Sequence, residues 1–108
     1  MENDICLFEH ILTQNLLDVA FYTYALRVEV ESLSEARREV AYAFLDDMCN
    51  AVKEITFTEE NRNREIIFNC MIRNVDNLTQ KFKVQLSLCE DIRDKLIVCL
   101  NTVKMTKG

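Results

Sequence analysis

The residues able to do chemistry in this chain are few and scattered: one histidine, His10, and five cysteines, Cys6, Cys49, Cys70, Cys89 and Cys99. A thiol beside an imidazole can form a nucleophile–base pair. Here each cysteine falls in a separate apolar stretch, where a thiol stays protonated and inert. One imidazole cannot supply the clustered ligands of most zinc or di-iron sites, and no Glu-x-x-His pair is present. The acidic pairs Asp46-Asp47 and Glu59-Glu60 are adjacent, so on a helix their carboxylates diverge; they read as solvated faces or helix-start charges. Glycine-rich phosphate loops are excluded, because the only glycine is the last residue, Gly108. Arg62, Arg64, Arg73, Lys81 and Lys83 form the one candidate anion patch. They alternate with Glu59, Glu60, Glu65 and Asp76, as on a salt-bridged outer helix face. The expectation is therefore no catalytic, cofactor-binding or metal-ligating residue, and no enzyme.

The elements that would have to position a site are easier to read. The chain has 108 residues, no proline and no internal glycine. Without the two strongest helix breakers, long helices with short polar connections are expected. Hydrophobic residues make up 49% and charged residues 29%, which suits one globular domain over residues 1–108. A net charge of −5 and a pI near 4.9 disfavour nucleic acid and anionic lipid as partners. The opening Met-Glu-Asn-Asp is acidic where a signal peptide would be basic. Residues 5–26 are apolar but interrupted by Glu9, His10, Gln14, Asn15 and Asp18, which argues against a membrane span. Asn77-Leu78-Thr79 matches a glycosylation acceptor, yet Leu78 lies in an apolar seam. Unpaired cysteines in odd number point to a reducing compartment, cytoplasm or nucleus.

Three long helices are expected, from about Asp4 to Glu31, Leu33 to Ile55 and Glu59 to Lys104, packed in a coiled-coil-like all-α bundle. A fourth arises if the last breaks near Ser87, where Ser87-Leu88-Cys89-Glu90 resembles a capping box; Val75 to Thr79 is a second candidate for a kink. Ser32-Leu33-Ser34-Glu35 is another capping box and Thr56 to Glu60 a further start signal. In the C-terminal half Phe68, Met71, Val75, Leu78, Phe82, Gln85, Cys89, Ile92, Leu96, Cys99 and Val103 recur at alternating steps of three and four, with Gln85 as the polar register mark. The first helix carries Ile5, Phe8, Leu12, Asn15, Val19, Tyr22 and Leu26 on one stripe. Ile11, Leu16, Leu17, Phe21 and Ala25 widen it, as in a helix central to its bundle or covered by a second molecule. The aromatics Phe21, Tyr22 and Tyr24 read as core rather than as a peptide-binding surface. Period-two alternation at residues 82–88 is the main β-like signal against this scheme.

The functional expectation is a helical protein–protein interaction module, a homodimer or a subunit of a larger complex, whose partner is itself or another helical protein. Phe68, Met71, Val75, Leu78 and Phe82, with Phe8, Leu12 and Tyr22, are the expected partner-binding residues. The alternative is a small helical regulator, of apoptosis or signalling type, that holds a peptide helix in a groove.

Overall fold

A computed structural model describes residues 2–82 and 87–105, with side chains from residue 7 onward. It contains four helices and, among the described residues, no strand. These are α1 (Glu2–Val30), α2 (Glu35–Thr56), α3 (Asn61–Phe82) and α4 (Leu88–Met105). Each helix packs against its sequence neighbours, and α4 closes the ring against α1. An ion pair and a set of hydrogen bonds fix the directions. Glu9 near the start of α1 meets Arg64 near the start of α3, whereas Glu29 near the end of α1 meets the start of α4. The result is an up-down-up-down bundle, 51 × 20 × 19 Å with a radius of gyration of 14.5 Å.

Four helices, not three, resolve the alternative at Ser87. An unbroken helix from Glu59 to Lys104 would be about 70 Å long, longer than the whole molecule, and α4 folds back on α3 instead. Phe82 and Cys89 are seven residues apart, so the heptad phase survives the break and cannot reveal it. Gln85, and most of the alternating run at 82–88, lie outside the described residues. No break occurs at Val75 to Thr79; α3 runs straight through.

With no glycine to end them, the helices close through backbone turns and hydroxyls. The N–H groups of Ser32 and Leu33 donate to the carbonyls of Glu29 and Val30, and Ser32 Oγ donates to Glu29 O at 2.7 Å. This corrects the capping-box reading at Ser32. That hydroxyl finishes α1, and Ser34 is the N-cap of α2, in an extended conformation (ψ 157°) without a side-chain cap bond. Likewise Thr56 and Thr58 donate to Val52 O and Glu54 O, so they terminate α2. Helix α3 starts at Asn61, not at Glu59.

The core is one contiguous apolar cluster. Val19, Leu26 and Val30 of α1, Leu45 and Met48 of α2, Phe68, Met71 and Val75 of α3, and Ile92, Leu96 and Val103 of α4 are all essentially water-free. Each such side chain contributes roughly 1.5–3 kcal/mol relative to exposure. Polar atoms inside are matched locally: Thr23 Oγ donates to Val19 O at 2.7 Å and Asn15 Nδ2 to Ile11 O at 2.8 Å. No described buried side-chain polar atom lacks a partner.

One cross-helix contact starts α4. The Glu29 carboxylate accepts from the Ser87 N–H (2.8 Å), the Ser87 hydroxyl (3.2 Å) and the Leu88 N–H (3.2 Å). A negative charge on the free N–H groups of a helix start satisfies them and complements the helix dipole. Glu29→Gln is therefore expected to lower stability by about 1 kcal/mol, the usual worth of an N-cap. Amide exchange should accelerate first in the opening turn of α4. Unchanged exchange there would show that the cap adds nothing.

Candidate functional site

Two apolar stripes run along α1, and only one of them enters the core. Leu12, Val19, Leu26 and Val30 are buried. Nine residues are two and a half helical turns, so Leu17, Phe21 and Val28 stand opposite Leu26, Val30 and Val19. Leu17, Phe21, Tyr24 and Val28 accordingly face outward, 59%, 69%, 75% and 69% exposed. Their spacing of four, three and four makes them one continuous line. Leu7, 54% exposed, extends it toward the start of α1, with His10 and Gln14 as its polar members.

No formal charge lies within this line between His10 and Glu31. The charged residues of α1 sit to its sides and are engaged there. Arg27 pairs with Asp46 of α2 at 3.3 Å, Asp18 with Lys95 of α4 at 3.3 Å, and Glu9 with Arg64 at 2.8 Å. These pairs are worth little energy individually, but they draw charge away from the outward line. Phe21 and Tyr22 meet edge-on, with ring centroids 6.0 Å apart.

The residues expected to bind a partner are distributed differently. Phe68, Met71, Val75, Leu78 and Phe82 are buried within this chain's own core, as is Leu12. Tyr22 and Phe8 are half-buried. The α3 seam is thus already covered by this molecule's other helices. The core reading of the aromatics is corrected for two of three: Phe21 and Tyr24 are in water, and only Tyr22 packs against the core. Val40 of α2 is 44% exposed, while Ala41 and Leu45 turn inward. The outward line was legible as a second three-and-four repeat on the first helix, but the greater apolarity of the first stripe masked it.

A shallow groove of about 280 Å³ borders the line between α1 and α2. Leu12, Leu16, Leu17 and Ala20 form one wall, Val52 and Ile55 the other, and the Glu9–Arg64 pair lies at its end. That volume holds one or two side chains; small-molecule sites usually begin near 300 Å³.

The thiols and carboxylates form no reactive cluster among the described residues. Cys49, Cys70, Cys89 and Cys99 are free, and no group of three or more His, Cys, Asp or Glu side chains could hold a metal ion. His10 is exposed. Burial pushes the Cys89 thiol up from 9.0 to about 11, against a lowering hydrogen bond from Thr79. Burial likewise raises Cys99 to about 12, with Lys95 opposing. Cys70 departs from the buried pattern and is exposed. Of these four it should alkylate fastest in native protein at pH 8, with Cys89 and Cys99 reacting only on unfolding. Both buried thiols stay protonated in the native state while their unfolded counterparts ionise near pH 9. Stability should therefore be level below pH 9 and fall above it, by up to about 1.4 kcal/mol per pH unit for each thiol, until their native values are reached. Peptide mapping after alkylation and denaturation midpoints against pH check the two halves.

Among the described residues no helix is long and apolar enough to cross a membrane. No protein-family model, curated protein or solved structure matches this chain.

Proposed function

We propose that the chain is a non-enzymatic protein–protein interaction module, a single helical domain that docks through the outward line of α1 in a reducing compartment, cytoplasm or nucleus. The observation that carries this reading is the exposure of Leu17, Phe21, Tyr24 and Val28 in unbroken helical register. The fold does not require them, because the opposite stripe of α1 supplies its share of the core. Side chains of this size, exposed to this degree, present about 500 Å² of apolar surface. That lies toward the upper end of the largest patch found on typical monomers. The rival reading, a groove that accepts a peptide helix, has weaker support, because the α1–α2 groove is too small for more than one or two anchoring side chains.

The test is the native size of the protein in the cells that make it. Wild type is expected to run well above the 12.7 kDa of one chain. Leu17→Asp, with unchanged helicity and melting, is expected to run at that mass. Wild type running at the single-chain mass would contradict the reading.

A further inference from the structure

We infer that the occupant of the α1 face is a second copy of this chain, its α1 lying antiparallel across a two-fold axis between Phe21 and Tyr24. This rests on the interaction reading above and names its partner. The face is uncharged along its length, so its complement must be an apolar, uncharged helix face about as long. The chain itself carries such a face.

The register follows from the side chains. A two-fold interface is isologous: if residue i meets j, then j meets i. With the axis between Phe21 and Tyr24, Phe21 meets the second copy's Tyr24, and Leu17 meets its Val28. Leu17, Phe21, Tyr24 and Val28 are then all paired with one another. Sliding one helix by a heptad sets the polar His10 ring against the apolar Val28, where it has no partner. A parallel pair, whose two-fold runs along the helices, sets each residue against its own copy and aligns the two helix dipoles, which the antiparallel pair opposes. Joining two such faces removes on the order of 1,000 Å² in all. The flanking Thr13, Gln14 and Ala25 bring this toward the lower bound, near 1,200 Å², of stable interfaces. A dimer that dissociates on dilution is the expected form.

Light scattering on the purified chain, from micromolar to about 1 mM, where even a millimolar interface is substantially formed, reads this out. The wild-type mass should rise from 12.7 kDa toward twice that value. Phe21→Lys alone and Tyr24→Glu alone should each remain monomeric with wild-type circular dichroism. The chain carrying both changes should dimerise again, because each lysine then faces a glutamate across the axis; in a parallel pair, lysine would face lysine. Failure of the double variant to recover mass would overturn the antiparallel register. A wild-type chain that stays monomeric at every concentration would overturn the second copy as occupant. If it also migrates in a larger species in cells, the interaction reading stands without it.

Discussion

Leu78→Asp is expected to unfold the chain rather than to separate two chains. Leu78 is 3% exposed on α3, in line with Phe68, Met71, Val75 and Phe82. A carboxylate there would be taken from water into the apolar cluster, which costs several kcal/mol or forces water into the core. Domains of this size are stable by only about 5–15 kcal/mol, so most of the margin disappears in one substitution. Far-ultraviolet circular dichroism and a denaturant titration check this. Loss of cooperative unfolding, or a midpoint lowered by more than half, is the expected result. Retained stability would mean that the α3 seam faces water, and the bundle described above would be wrong.

Two phenylalanines give the second large effect by their contrast. Phe68 is fully buried and Phe21 is 69% exposed. Phe68→Ala should cost about 3–5 kcal/mol, through lost transfer energy and the cavity left behind. In a domain of about 100 residues that lowers the melting temperature by roughly 12 °C or more. Phe21→Ala should leave the dilute, unassociated protein within about 0.5 kcal/mol of wild type. Equal effects of the two changes would show that α1 is seated with its other face inward.

Much of the architecture was legible because glycine and proline are absent and the apolar spacing is regular. The stripe Leu12, Val19, Leu26 and the seam Phe68 to Phe82 were read correctly as faces that must be buried. What periodicity could not say was by whom. A heptad seam buried within its own chain has the same spacing as one buried by a partner, and Phe68, Met71, Val75, Leu78 and Phe82 turn out to be covered from within. The alternative of a break near Ser87 rests on the capping signal there; the seam itself does not reveal it, because Phe82 and Cys89 keep phase across it. Helix starts were misplaced by two residues at Ser32 and Glu59, because serine and threonine hydroxyls at such junctions can serve the end of one helix or the start of the next. Ser32, Thr56 and Thr58 do the former. The outward line of α1 was half visible. Leu17 and Phe21 were seen as widening an apolar stripe, but Tyr24 and Val28 complete a separate one. Recognising it required knowing that only one of the two could reach the core.

The chain contains no tryptophan, so Tyr24→Trp places a single indole reporter in the middle of the outward line. Its emission, and its quenching by a soluble agent, tests most directly whether the second face of α1 is an interface. The account predicts water-exposed, readily quenched emission in dilute purified protein. It predicts a blue shift and protection from quencher as the concentration rises. Emission that stays red and fully quenchable at every concentration would contradict it.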